Sequence, residues 1–224
     1  TLARPDYHQL TPHFTIANGG MAVNSGNPNL KPAQSFNHDF MISFHGNEIG
    51  LLTVGAFYKE IKNFTYSTSY RLRAGKFTLP GRDSVKSFAS LGSPPNDGAT
   101  LYTYINSPYK AYVRGLEFDF QTRFWYLPFP FDGLLLGVNY THINSQTRYP
   151  WTKERVGGTR ANPIYIQIDS SRAGRLIFQP NDIANVYLGY DYGGFSAKLS
   201  VVFQGNSVSY VGAWPEADGF TDDY

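Results

Sequence analysis

Gly115-Leu116-Glu117-Phe118-Asp119-Phe120-Gln121-Thr122-Arg123-Phe124-Trp125-Tyr126 is the stretch on which the fold turns. Leu116, Phe118, Phe120, Thr122 and Phe124 alternate with Glu117, Asp119, Gln121 and Arg123, so a backbone whose side chains point to opposite faces at every step makes one face greasy and the other ionic. The alternation begins at Tyr112. It therefore outlasts the roughly 5–6 residues of an ordinary globular strand and reaches the roughly 9–11 that a tilted strand needs to cross a bilayer.

The same design recurs outward along the chain. Phe195, Ala197, Leu199, Val201 and Phe203 alternate with Ser196, Lys198, Ser200, Gln204 and Asn206, and only Val202 interrupts the polar side. Leu134 to Tyr140, Ala184 to Tyr190, Phe40 to Phe44 and Leu52 to Tyr58 follow the scheme less cleanly, which makes about six strands. Short, Gly-, Asn-, Asp- and Pro-rich turns (residues 45–50, 127–133 and 192–194) separate some of them. Long connections, Ser67 to Tyr109 and Gln146 to Pro180, separate the others.

In an antiparallel meander that alternation puts all short turns at one rim and all long loops at the other, the arrangement of an outer-membrane barrel. Aromatic residues crowd the strand ends, as Phe124, Trp125, Tyr126, Phe129 and Phe131 at one short turn and Tyr140, Tyr149 and Trp151 beyond the far end. Such clusters mark membrane interfaces. Soluble sandwiches, lectins and lipocalin-like barrels are built from similar strands, and the alternation by itself leaves them open.

Composition narrows the field further. The 224 residues are 16% charged and 17% aromatic, with 22 Gly, 14 Pro and a net charge of +2. Charge that sparse and that balanced argues against nucleic acid as a partner, and the aromatic, turn-rich content argues against an all-helical fold. No cysteine is present, so disulfides, thiolate metal sites and cysteine nucleophiles are excluded. No apolar run is long enough for a transmembrane helix, which says nothing about a barrel.

Several fragments resemble the barrel domain of TonB-dependent outer-membrane receptors, in that family's order. They are Ala3-Arg4-Pro5-Asp6-Tyr7 with Leu10-Thr11-Pro12, then Gly26-Asn27-Pro28-Asn29-Leu30-Lys31-Pro32-Ala33-Gln34-Ser35, then Phe57-Tyr58-Lys59-Glu60-Ile61-Lys62-Asn63-Phe64, then Gly115-Leu116-Glu117, Gly133-Leu134 and Asn139-Tyr140-Thr141. Ala33 stands where the family's loop motif usually has an acidic residue. The resemblance implies an all-β, antiparallel, up-and-down transmembrane β-barrel with short periplasmic turns and long extracellular loops. Residues 1–224 are expected to be part of one such domain, about six of 22 strands, with the plug, the N-terminal strands and the closing strands outside the sequence. It also implies a bacterial outer-membrane location, contact with lipid and lipopolysaccharide, and coupling to the TonB complex through the absent N-terminal region. A surface lipoprotein lid is a further candidate partner.

The chemistry then has to be sought in the loops and the lumen. Glu117 and Asp119 have the carboxylate pairing of a glycosidase, but on an alternating strand they read better as lumen-facing polar groups beside Arg123 and Lys198. Gln121 belongs to the same set. His8, His13, His38, His45 and His142 show no metal-ligand spacing, and neither a metal nor a cofactor is expected. Asn63-Phe64-Thr65 and Asn139-Tyr140-Thr141 match glycosylation acceptors, yet both fall within expected strands and are read as chance.

Both long loops are basic and interleaved with rings. Arg71, Arg73, Tyr102 and Tyr104 in the first, and Arg148, Tyr149, Trp151 and Arg155 in the second, are the candidate ligand-binding residues. Guanidinium groups beside aromatic faces suit an anionic, partly aromatic cargo such as a ferric siderophore. Stacked rings also suit oligosaccharides, by import or by a non-transport β-protein that binds surface glycans.

Overall fold

The computed structural model describes residues 1–11, 13–72, 76–78, 85–87, 98–211 and 219–221. In chain order they form β1 (Leu2–Ala3), α1 (Tyr7–Leu10), β2 (Phe14–Ala17), β3 (Ala22–Ser25), β4 (Ala33–Gly46), β5 (Gly50–Lys62), β6 (Thr65–Arg71), β7 (Lys76–Thr78), β8 (Val85–Ser87) and β9 (Thr100–Asn106). The second half continues with β10 (Ala111–Arg123), β11 (Leu134–Gly158), β12 (Pro163–Gly174), β13 (Asp182–Tyr192), β14 (Phe195–Gln204), β15 (Ser207–Tyr210) and β16 (Gly219–Thr221). The chain divides into two compact units, Thr1–Ser35 with Ile61–Lys110 and Arg148–Arg172, and Phe36–Glu60 with Ala111–Thr147 and Ala173–Tyr224.

The second of these units contains the long strands, in the neighbour order β4, β5, β10, β11, β13, β14. All of the strands read from the alternation are there. β10, β11, β13 and β14 pair antiparallel, and their register carries the pattern across the sheet, because directly paired residues share a face. Phe118, Tyr140, Ala184 and Phe203 form one row; Phe120, Val138, Val186 and Val201 form the next; Thr122, Leu136, Leu188 and Leu199 the third. This apolar face is open, with Leu199 69% and Val201 62% exposed. No second sheet covers it among the described residues, which a sandwich would require.

The opposite face of the same sheet holds Glu117, Asp119, Gln121 and Arg123 on β10, Asn139 and Thr141 on β11, Asn185 and Tyr187 on β13, and Lys198 and Ser200 on β14. Asp119 accepts from Gln121 Nε2 at 2.9 Å and from Asn139 Nδ2 at 3.2 Å, so neutral amides, not the expected basic neighbours, hold this carboxylate. Lys198 lies over the Tyr187 ring, 3.9 Å from its centroid. That ring covers Gly137, where a Cβ would collide with it.

The strand ends three residues before Tyr126, to which the alternation reads. β10 stops at Arg123, and Phe124, Trp125 and Tyr126 fold into the turn, with Phe124 N–H donating to Leu134 O at 3.0 Å. Phe124 thus lies just past the strand end, still bonded across the ladder to Leu134. The turn reaches its neighbours on both sides: Trp125 Nε1 donates to Asn47 O at 2.8 Å, and the Phe129 and Tyr192 rings lie 5.5 Å apart. β13 and β14 are joined through Gly193 (φ 57°) and Gly194 (φ 87°), the left-handed pair that a two-residue hairpin requires.

The first unit contains what reads in the sequence as long loops, and much of it is strand. β2, β3, β9 and β6 lie side by side in that order; β3 and β9 run parallel and the other pairs antiparallel. β7 pairs with β8, and β11 runs for 25 residues to Gly158 before β12 pairs back along it. The Ser, Thr and Tyr run of β6 and the Ile-rich β12 have the composition of strands, which in the sequence is masked by their polarity. Val23, Leu101, Leu72 and Ala99 form the buried interior of this unit. Asn63, expected within a strand, instead takes a left-handed φ of 56° at the corner between β5 and β6.

Candidate functional site

The site is built on the solvent side of the β2–β3–β9–β6 sheet. Burial alternates along β9: Leu101 and Thr103 point into the unit, while Tyr102 is 49% exposed and Tyr104 half-buried. The register pairs Ser69 with Tyr102, Ser67 with Tyr104 and Arg71 with Thr100, while Asn24 sits beside Tyr102 and Thr15 beside Asn24. Arg71, Tyr102 and Tyr104 therefore share one face. Arg71 is the diagonal neighbour of Tyr102, within reach of a long side chain.

Helix α1 borders that face. Asp6 opens it, its N–H accepted by Gln9 Oε1 at 3.0 Å, and the following His8 meets the Tyr104 ring edge-on at 5.7 Å. Between helix and sheet lies a cleft of about 380 Å³ whose lining includes Tyr7, His8, His13, Asn24, Ser67, Tyr102 and Tyr104. Among the described residues its lining includes no Asp, Glu, Lys or Arg. Thr103 also lines it, 2% exposed, and its hydroxyl has no partner among the described residues.

The Gly26–Lys31 motif holds this arrangement together. A Cβ on Gly26 would collide with the carbonyl oxygens of His8, Gln9 and Thr11, so only glycine lets the strand exit pass beneath α1. Asn27 is buried; its Nδ2 donates to Tyr104 O at 3.0 Å and its Oδ1 accepts from Asn29 N–H at 3.0 Å. Asn106 completes the clamp, accepting from Lys31 N–H at 2.7 Å and donating to Lys31 O at 2.9 Å and Asn63 O at 2.8 Å.

The second group of expected residues is dispersed. Arg148 is exposed, with Nε donating to Ser171 Oγ at 3.2 Å and the guanidinium 5.7 Å from the Tyr109 ring centroid. Arg155 is exposed on the same strand. Tyr149 is not a surface ring: it is 3% exposed and packs edge-on against Phe64 and Tyr66, at 6.1 and 5.8 Å. Its role is to fill the interior. Burial also pushes the Tyr66 hydroxyl above the ordinary tyrosine range, with Tyr109 and Tyr149 adding to the shift. Arg73 and the Trp151 side chain lie outside the described residues.

His8 and His13 carry no motif in the sequence and come to the cleft only through the fold. His142 likewise gains a carboxylate partner across strands, its Nδ1 lying 2.8 Å from Asp182 Oδ1, with Tyr140 OH donating to the same oxygen at 2.7 Å. Among the described residues no group of three or more His, Asp or Glu side chains could hold a metal ion.

The strand pattern, register and open apolar face define a membrane-barrel wall, and the family comparison agrees. The whole chain, residues 1–224, matches the family described as TonB dependent receptor-like, beta-barrel, and the chain belongs to that family of the bacterial outer membrane. Among solved structures it is similar to a double mutant of the ferric enterobactin receptor PfeA from Pseudomonas aeruginosa, with 18% identity, a TM-score of 0.53, and coverage of 98% of this chain and 27% of that one. The same receptor in complex with BCV-L6 gives 18% identity, a TM-score of 0.54, and coverage of 100% and 28%. The chain thus spans little more than a quarter of those receptors' length, and the likeness is one of fold. No curated protein matches.

Proposed function

We propose that this chain is part of a receptor for TonB-dependent import of a scarce nutrient, and that the cargo is a ferric siderophore or a similar anionic chelate. The carrying observation is the meeting of Arg71, Tyr102 and Tyr104 on one open sheet face beside the cleft. A guanidinium supplies charge-assisted hydrogen bonds to an anion, and the neighbouring rings cover its apolar part. Arg148 and Arg155 extend the basic surface of the same unit. The name of the similar solved receptor, a ferric enterobactin receptor, points the same way. The polar face of Glu117, Asp119, Gln121, Arg123 and Lys198 is the lumen wall on this reading, the apolar face meets lipid, and energy is delivered by a TonB complex through segments outside the chain.

Import of an oligosaccharide by the same kind of barrel is the second reading, favoured by the lack of Asp, Glu, Lys and Arg among the described residues that line the cleft. Uptake by cells bearing the intact receptor separates the two. Energy-dependent accumulation of iron presented on anionic siderophores, lost on deletion of the receptor, supports the first; accumulation of labelled oligosaccharide with no iron phenotype replaces it with the second.

A further inference from the structure

We propose that the outer end of the apolar face carries a site for the phosphate of an outer-leaflet glycolipid, centred on Arg114. The proposal rests on the reading of that face as the one that meets lipid, and gives it a specific headgroup contact. Along the exposed side of β10 and β11 the composition changes row by row: Phe118–Tyr140 is followed by Leu116–His142, then by Arg114–Asn144, then by Tyr112–Gln146. Arg114, Asn144, Tyr112 and Gln146 are all exposed, while Val113 and Ser145 between them are buried on the other side. All of these residues belong to the second unit.

Depth sets the chemistry. Val138 stands in the middle of the apolar rows; Asn144, farther along the same strand, is about 20 Å from it at roughly 3.3 Å per residue, or about 15 Å nearer one rim at a tilt near 40°. The apolar band of a barrel extends only about 12 Å to either side of its middle. Arg114, paired with Asn144, therefore lies at headgroup level, at the end away from the short turns at residues 127–133 and 192–194. In a family whose short turns are periplasmic that end is the outer leaflet, whose glycolipid is phosphorylated.

No hydrogen bond or ion pair holds the Arg114 guanidinium among the described residues. The carboxylates around it are already engaged: Asp182 accepts from Tyr140 OH at 2.7 Å and lies 2.8 Å from His142 Nδ1, and Glu60, on the same side of β5 as Tyr58, has a partner of its own. Arg114 is left to an external anion, which its fork holds by paired charge-assisted hydrogen bonds, with the Asn144 amide beside it as a further donor. Tyr58 and Tyr112, both exposed and with ring centroids 6.3 Å apart, have the amphipathic form of interfacial anchors. A free phosphate ion would meet only the guanidinium, whereas a lipid also lays its acyl chains on the exposed Leu116 and Phe118 directly below.

The test uses the intact receptor in detergent with EDTA, so that no divalent cation bridges acid to phosphate. The probes are lipid A and its dephosphorylated form, which share the same acyl chains, and bound lipid is counted by native mass spectrometry over a titration. Lipid A is expected to bind about tenfold more tightly than the dephosphorylated form. Arg114→Gln should erase that preference and Asn144→Ala should reduce it about two- to threefold. Arg123→Gln, which removes the same charge from the opposite face, should leave it intact; each variant is first checked for folding by its gel-mobility shift. A preference that survives Arg114→Gln, or that falls equally in Arg123→Gln, overturns the proposal. So does displacement of lipid A by inorganic phosphate at equal concentration, which would make this a free-anion site. Equal retention of both lipids leaves the lipid-facing wall standing and sinks the phosphate site, whereas retention of neither sinks both.

Discussion

Val186→Arg places a guanidinium at the centre of the apolar face. Val186 is paired directly with Val138 and Val201, in the row between Tyr140–Ala184–Phe203 and Leu136–Leu188–Leu199. From Leu134 to His142 the strand climbs about 26 Å at roughly 3.3 Å per residue; at a tilt near 40° that is about 20 Å of depth, most of the roughly 25 Å apolar band of a barrel. Val138, and with it Val186, falls halfway. Arginine at the midplane of such a face costs about 2–4 kcal/mol, or about 30- to 700-fold in the folding equilibrium. Gln121→Arg is the control at the same depth on the other face, where the new guanidinium lies beside Asp119 and remains hydrated, and its expected cost is below about 1 kcal/mol. Urea titrations of the intact receptor refolded into lipid vesicles, followed by its gel-mobility shift, measure both. Equal penalties would show that the two faces meet the same solvent, and the assignment of wall and lumen would fail.

Gly26→Val is expected to cost about 1–3 kcal/mol by driving a branched Cβ into three backbone carbonyls, and limited proteolysis should then cut the first unit near α1 before any other described segment. Tyr66→Phe should leave stability unchanged or raise it by up to about 1–3 kcal/mol, because the buried hydroxyl has no partner among the described residues; a clear loss in thermal denaturation would reveal a partner. The raised Tyr66 ionisation carries a sign. The folded state keeps the proton that the unfolded state releases, so stability is whole below the ordinary tyrosine value near pH 10 and falls as pH rises above it, and the Phe variant should lose less over that range. Arg71→Ala should weaken an anionic cargo and flatten its salt dependence in equilibrium binding; an unchanged salt slope would remove Arg71 from the anion site.

The wall was legible because its physics is local and periodic. Leu116 to Arg123 announces both faces without reference to any other strand, and the register then only has to align equals. The end of β10 was misread by a few residues because Phe124 and Tyr126 continue the alternation into a turn that is itself made of rings. Tyr149 was misjudged for a related reason: beyond the expected membrane span it looks like an interfacial aromatic, and only packing against Phe64 and Tyr66, remote in sequence, shows it to be interior. The cleft was half legible. Tyr102 and Tyr104 declare themselves by composition, but nothing local raises a helix at Tyr7–Leu10 or brings His8 and His13 to β9. The strands within the long connections were hidden by their polarity, since a Ser, Thr and Tyr run has no greasy face to betray it.

The grip of Asn27 on β9 has an evolutionary reading. It holds residue 104 by the backbone carbonyl, and Asn106 likewise binds carbonyls of Lys31 and Asn63. A main-chain oxygen is present whatever side chain the position carries. Residues 102 and 104 can therefore be exchanged for others while the clamp, the path of the strand and the seat of α1 persist, so that a lineage, or a designer, can try new cargo preferences on a frame that does not have to be reinvented each time.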